Sequence, residues 1–318
     1  MRKKIKLGIS SCLLGEKVRY DGGHKLDRFL ADVFGKYVEY VPVCPEVEIG
    51  LPIPREALRL LKRAEDEAPR LVTQKTGIDY THQMLSWAKT RLDQLEKEEL
   101  CGYIFKSKSP SSGMERIKVY NEKGVAQRSG VGIFARAFMD RFPLMPVEDE
   151  GRLIDIELRE NFIVRLFTYH RWRELVRSSR AIGAVVNFHT RSKLLFMAHN
   201  PEIARKLGNL LAHAKEMPLE EFFVTYESMM MTCMKYKATV RKNTNVLHHM
   251  MGYFKKQLQA DEKQELLELI ESYRLGYYPL VVPLTLIKHY VRKYDQPYLK
   301  EQYYLNPHPV ELKLRNHA

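Results

Sequence analysis

The chain has 318 residues, 45% of them apolar and 29% charged, which suits about two ordinary soluble domains with cores large enough to need no covalent staples. Its four cysteines, Cys12, Cys44, Cys101 and Cys233, are too few for a disulfide scaffold. The apolar stretch Leu7-Gly-Ile-Ser10 is shorter than the roughly 7–15 residues of a signal-peptide core, and nothing approaches the roughly 18 apolar residues of a membrane span, so the expected setting is cytoplasmic, with no membrane partner and with reduced thiols.

The formal net charge of +13 is unevenly spread: residues 1–150 hold 26 Lys/Arg against 22 Asp/Glu, and residues 151–318 hold 26 against 17. Nine of the 11 His and 12 of the 18 Tyr also fall in the second part. Basic surface attracts phosphate, and Tyr and His rings can stack on bases, so this part points to a nucleic-acid partner.

In chain order, Ile5–Ile9 reads as a first strand running into Ser10-Ser-Cys12-Leu-Leu-Gly15. Leu26–Phe34 has helical spacing. Val38–Val43 reads as a second strand ending at Cys44-Pro-Glu46, and Leu71-Val-Thr73 as a third. Gly77–Leu100 predicts a long amphipathic helix. Gly102–Lys106 predicts another strand, ending at Ser107-Lys-Ser-Pro-Ser-Ser-Gly113. Strands alternating with helices predict an α/β domain with a mostly parallel sheet, whose strand ends are the edge where ligands bind.

From about residue 152 the pattern turns helical. Asp155–Val176 is one helix. Asn200-Pro201 is an N-cap with proline in the first turn, and Pro218 opens a further helix. Asp261 caps a helix ending at Arg274, and Pro283 begins one reaching Tyr294. The predicted organisation is an α/β domain over 1–153 and an all-α domain over 154–318.

Two cysteines 32 residues apart are by themselves a weak metal signal, since most cysteines are small buried hydrophobes. Their loops are more informative. The first reads Cys12-Leu-Leu-Gly…Arg19-Tyr-Asp21-Gly, the second Cys44-Pro-Glu46-Val…Gly50-Leu…Pro54-Arg55, the third Ser109-Pro-Ser-Ser112-Gly113. Together these closely resemble the TudS-type thiouracil desulfidases. The remainder, through Arg159-Glu-Asn-Phe162, Arg241-Lys-Asn-Thr-Asn-Val246 and Pro307-His-Pro309, is similar to the helical domain fused to some members.

The resemblance implies a [4Fe–4S] cluster held by three cysteines, with one iron left open to bind a thiocarbonyl sulfur and polarise the bond. Cys12 and Cys44 match two ligands, and the third position is Ser112. An alcohol is far less acidic than a thiol and is a harder donor, so a cluster is expected to be absent or weakly held here. Ser112 reads either as an engineered replacement or as a natural loss. Cys101 is expected at the far end of its strand, and Cys233 in the helical core. The resemblance also marks Glu46 as the catalytic base, with Ser109 orienting water or substrate and Asp21 binding a ring N–H or shuttling protons. Asp21-Gly22 is equally a turn signature, as is Ser109-Pro110, and Glu48 and Arg55 suit loop bracing.

In the helical part, Arg241, Lys242, Asn245, His248, Tyr253, Lys255 and Lys256 place cations, amides and rings at helical spacings, as an RNA surface would. Arg165, His170, Arg171 and Arg173 form a second group. The expected function is removal of sulfur from thiolated uracil in RNA, with 4-thiouridine in tRNA implied by the resemblance. The alternatives are desulfuration of free thiouracil bases and non-catalytic RNA binding. The sequence assigns no oligomeric state.

Overall fold

In the computed structural model, which describes residues 4–316, β1 (Ile5–Ser10) lies between two parallel neighbours. Leu7, Gly8 and Ile9 are all buried, as a strand covered on both faces requires. β2 (Val38–Val43) pairs along one side of β1. β5 (Tyr103–Phe105) pairs along the other, with β8 (Val147–Asp149) beyond it, and every pairing is parallel. Gly8 admits the Tyr103 ring, because a Cβ there would stand 2.2 Å from it. Tyr103 and Phe105 pack with Phe134 and Phe138 of α3 (Ile133–Arg141), with ring centroids 4.3–6.3 Å apart. Trp87 joins this cluster from α2 (Thr81–Lys97), 5.3 Å from Phe134.

The two predicted strands before Cys44 and the strand after Cys101 are present. Two predicted helices differ. α2 begins at Thr81 rather than Gly77, because Gly77 adopts φ +69° in a turn closed by the Thr73 amide donating to the Ile78 carbonyl at 3.0 Å. The helix expected over 26–34 is a single wide turn at Phe29–Val33 followed by one tight turn at Phe34–Lys36. The third predicted strand exists as β4 (Arg70–Thr73) but belongs to a second sheet. Its order is β4, β3 (Leu58–Leu61), β6 (Ile117–Tyr120), β7 (Ala126–Gly130), with antiparallel pairs at both edges.

The chain divides into two compact units, residues 1–154 and 155–318. The first is the α/β unit and the second is helical, so the fold class is α/β with an all-α C-terminal part. In the second unit α4 (Ile156–Ser178) starts at Asp155, whose carboxylate accepts from the Leu158 amide at 3.0 Å. α5 is Ile182–His199. Asn200 caps α6 (Pro201–Ala212) as predicted, accepting from the amides of Glu202 and Ile203 at 3.1 Å. α7 is Leu219–Lys235, α8 Val240–Gly252, α9 Ala260–Arg274, α10 Val281–Lys293 and α11 Pro297–Lys300. The cap of α9 is Gln259 rather than Asp261: a reciprocal box with Glu262 satisfies the first-turn amides. Pro283 sits inside the first turn of α10, where its missing N–H costs nothing.

Trp172 of α4, Phe188 of α5 and Phe223 and Tyr226 of α7 form the aromatic core of this unit. Cys233 is fully buried there, its thiol donating to the Phe196 carbonyl at 3.5 Å. Among the described residues no helix is long and apolar enough to cross a membrane.

Three histidines of the helical unit, His189, His199 and His308, are held neutral by burial, with pKa values lowered to about 4. A depressed histidine binds its proton more readily in the unfolded chain. Stability is therefore full above about pH 6.5 and is lost as pH falls from there toward 4. If all three contribute, the steepest loss is on the order of 4 kcal/mol per pH unit. Chemical denaturation across pH 4–7 should show the fall, and His199→Phe should make it shallower. A flat profile would mean that these imidazoles titrate normally.

Candidate active site

Four parallel strands deliver their C-terminal ends to one edge of the first sheet. β1 ends at Ser10, and the single turn Ser11–Leu14 carries Cys12. β2 ends at Val43, and Cys44 caps α1 (Pro45–Glu48), a one-turn helix with proline in its first turn. β5 leads into Lys106–Gly113, and β8 into Glu150. Cys12, Cys44, Glu46, Lys106, Ser109, Ser112 and Glu150 all line one open cavity of about 1190 Å³ within the first unit.

Glu46 stands at the end of a directed hydrogen-bond chain. The Ser109 hydroxyl oxygen accepts from the amides of Ser111 and Ser112 at 3.3 and 3.1 Å. Ser109 and Ser111 hydroxyls lie 2.9 Å apart, and Ser111 donates to Glu46 Oε1 at 2.6 Å. Glu46 Oε2 lies 3.8 Å from Cys44 Sγ and 4.0 Å from Arg55 Nη2. The turn is tight because position 113 is glycine: a Cβ there would meet the Ser109 carbonyl oxygen at 2.7 Å. Ser111 was not singled out from the sequence. Its signal was its place inside the serine-rich turn.

The flanking groups brace these loops. Glu48 accepts from the Cys44 amide at 3.1 Å and pairs with Arg91 at 3.0 Å. Arg55 Nη2 donates to the Val18 carbonyl at 2.9 Å, tying the second loop to the first. Lys106 pairs with Glu150, which also accepts from the Ser107 amide at 2.6 Å. Asp21 is corrected: it does not line the cavity, is exposed, and accepts from the Gly23 amide at 3.0 Å with Arg19 at 3.4 Å. Its backbone contact and Arg19 hold its carboxyl below the usual range. It is the turn residue of that loop.

Burial pushes the Cys12 thiol up to about 11 and the Cys44 thiol up to about 12. Both are free, and Ser112, nearly fully buried, lines the same cavity. Cys101 is remote from this edge: its amide donates to the Lys6 carbonyl at the start of β1, at 2.9 Å. Among the described residues no three His, Cys, Asp or Glu side chains gather as metal ligands. Two thiols and an alcohol are not the donor set of a [4Fe–4S] cluster, so the residues present do not fit that group.

The second sheet supplies a wall of the same cavity that sequence reasoning missed. Arg59 comes from β3, Lys118 and Tyr120 from β6, and Arg128 from β7. Arg59 lies over the Tyr120 ring at 5.6 Å, and its Nε is buried without a hydrogen-bond partner. Lys/Arg outnumber Asp/Glu ten to six around the cavity. The available signal was Ile117-Lys-Val-Tyr120, Asn121-Glu-Lys-Gly124 and a return strand, a hairpin with glycine in its loop. Gly124 has φ +76°, and Asn121 Oδ1 accepts from the Val125 amide at 2.9 Å.

In the helical unit Arg241, Asn245, His248, Tyr253, Lys255 and Lys256 are exposed, the first three forming one stripe of α8. Lys242 is corrected. It turns inward, donating to the His199 carbonyl at 2.6 Å and the Lys237 carbonyl at 2.9 Å, and burial lowers its pKa. Asn243 is also structural, bonded to the hydroxyls of Tyr273 and Tyr304 at 3.1 and 2.8 Å. The second cationic group does not form a free patch. Arg165 is buried, Arg171 donates to the Pro307 carbonyl at 2.7 Å, and Arg173 lies over the Tyr169 ring at 5.8 Å.

Residues 7–150 match the 2-thiouracil desulfurase family. Residues 193–309 match a family described as protein of unknown function, DUF1722. The chain is 34% identical over 158 residues to the uncharacterized protein YbgA of Escherichia coli strain K12, covering 49% of this chain and 94% of that protein. It is 31% identical to a solved structure of the [4Fe–4S]-dependent thiouracil desulfidase TudS, over 48% of this chain and 95% of that one, with a TM-score of 0.38.

Proposed function

Since the chain belongs to the 2-thiouracil desulfurase family, joined here to a DUF1722 region, we propose that it acts on thiolated uracil held in RNA, 4-thiouridine in tRNA, as a cytoplasmic enzyme. The reaction is hydrolytic: water oxygen bonds the ring carbon, the carbon–sulfur bond breaks, and hydrogen sulfide and uridine result. Glu46 takes the proton of the adding water. Ser111, itself held by Ser109, holds Oε1 of that carboxylate, leaving Oε2 on the side of Cys44 Sγ, 3.8 Å away. Ser109 thereby acts through Ser111 as a positioning residue.

The observation that carries the RNA reading is the cationic wall. Lys25, Arg59, Lys118 and Arg128 line the cavity and make no ion pair among the described residues. A free base has no phosphate to engage them, whereas a nucleotide within RNA does. The test uses Arg59→Ala, Lys118→Ala and Arg128→Ala together in a Ser112→Cys background. Turnover of thiolated tRNA should fall at least on the order of 10–100-fold, the loss expected if even one of the three contacts is a charged hydrogen bond worth about 1.5–3 kcal/mol. Turnover of free thiouracil should stay within about twofold, less than one such bond is worth. Equal losses on both substrates would favour desulfuration of free bases.

The exposed cations of the helical unit extend the same reading. Affinity for tRNA should fall with salt, with a log–log slope of roughly −0.7 to −0.9 per phosphate contact. Arg241→Ala, Lys255→Ala and Lys256→Ala together should flatten that slope in a filter-binding titration. An unchanged slope would remove this surface from the RNA footprint. Ser112 favours a second reading for the chain as written: it binds RNA without turning it over, for want of a third thiolate.

A further inference from the structure

The helical unit has a cavity of its own, of about 520 Å³, within the range of small-ligand sites. It is lined by α5, α6 and the two rings Tyr253 and Tyr298, and no carboxylate lines it. Lys193 and Arg205, both exposed, face it and make no ion pair among the described residues. Glu202 lies near enough to Arg205 to feel its charge, but it does not line the hollow, so two cations and no acid face the space and favour an anion.

The remaining wall is suited to a flat ring. Tyr253 and Tyr298 stack on each other at 4.9 Å with 17° between their planes, and the pair lines the cavity, so a base would lie against the outer side of the stack. His189 is 92% buried by its 8% exposure, and its Nδ1 is held by the Tyr226 hydroxyl at 2.9 Å. Its Nε2 has no hydrogen-bond partner among the described residues. That nitrogen is 3.7 Å from where a Cβ on Gly208 would stand, and Gly208 lines the cavity too. The bare glycine keeps the imidazole edge accessible from the hollow. The hollow thus presents an accessible ring nitrogen beside two aromatic rings and two cations.

The geometry points to a nucleotide-binding pocket here: the base lies against Tyr253 and Tyr298, the His189 Nε2 meets its polar edge, and phosphate sits between Lys193 and Arg205. The site is separate from the sulfur chemistry and needs neither Cys12 nor Cys44. It deepens the RNA reading if the nucleotide is an unpaired residue of the substrate, and stands without that reading if the nucleotide is free.

The test is calorimetric titration of the full chain carrying Arg59→Ala, Lys118→Ala and Arg128→Ala, which removes phosphate contacts of the first unit. The probes are uridine and adenosine 5′-monophosphate, uridine, and inorganic phosphate. Both mononucleotides should bind, and uridine and phosphate should each bind at least about tenfold more weakly, as loss of the charge contact or of one base stack implies. Adding Lys193→Ala with Arg205→Ala, or separately Gly208→Leu, should weaken mononucleotide binding about tenfold or more. A thermal melt checks that each variant is folded. No mononucleotide binding in the starting chain, or binding that survives both pocket changes, overturns the proposal. Repeating the pocket changes with tRNA identifies the source: weakened tRNA binding marks an RNA nucleotide, and unchanged tRNA binding marks a free one. Sulfide release is not read, so failure of the desulfidase reading leaves this result unaffected.

Discussion

Anaerobic reconstitution of Ser112→Cys should yield close to four iron and four acid-labile sulfide per chain, with the broad visible absorption of a cubane cluster, while the Ser112 chain yields a small fraction of that. The cause is the donor set. Cys12 and Cys44 flank one cavity at adjacent strand ends, and position 112 brings its side chain to the same cavity from the third loop. A thiol there gives a third soft anion, whereas the serine hydroxyl would have to ionise from a far weaker acid. Burial raises both existing thiols, so metal must offset an uphill deprotonation at each of them. Full cluster occupancy in the Ser112 chain would show that oxygen suffices at this corner.

Glu46→Gln in the Ser112→Cys background should keep the cluster and lose turnover by on the order of 10²–10⁴-fold, the usual worth of a general base. Glutamine preserves the size of the side chain and can still accept from Ser111 through its carbonyl oxygen. The hydrogen-bond chain from Ser109 would therefore survive while the proton acceptor is lost. Ser111→Ala removes the donor to Glu46 Oε1 and should lower kcat while leaving KM nearly unchanged, because it loosens the base and not the substrate contacts. A merely structural Ser111 would change both together. Turnover at the parent rate in Glu46→Gln would reduce Glu46 to a loop brace beside Glu48.

Much of the site was legible in the sequence because its residues follow strands in short, punctuated loops. β1 carries alternating apolar residues and ends two residues before Cys12, and β2 is a largely apolar stretch that ends at Cys44, so their strand ends could be located within a residue. Sulfur ligand positions then fell on one sheet edge by topology. The second sheet was not legible in the same way. Its strands are four or five residues long, and β7 is exposed over Ala126–Ser129 with no alternation to betray it. Arg59, Lys118 and Arg128 accordingly carry no pattern along the sequence, although their strands bring them to one wall.

Helical spacing likewise found the cations of α8 but not their directions. Lys242 lies one residue after Arg241 and so faces elsewhere on the helix, where the end of α5 offers carbonyl oxygens with no helical partner. The Tyr253 ring, read as a base-stacking surface, is already stacked on Tyr298 from a segment 45 residues later. Contacts of that kind depend on how α8 and α11 pack, which periodicity within either helix does not specify.

The central claim is that the cavity of the first unit acts on thiolated uracil within RNA. The most direct measurement is a competition assay with Ser112→Cys, reconstituted anaerobically, given thiolated tRNA and free 4-thiouracil together. Nucleoside composition after digestion reports 4-thiouridine lost and uridine gained, and liberated sulfide gives the total. The account predicts that kcat/KM for the tRNA exceeds that for the free base by about 100-fold or more at low salt, the scale of two charge-assisted phosphate contacts. That ratio should shrink as salt rises. Equal rates at every salt concentration, or sulfide released from the free base alone, would contradict it.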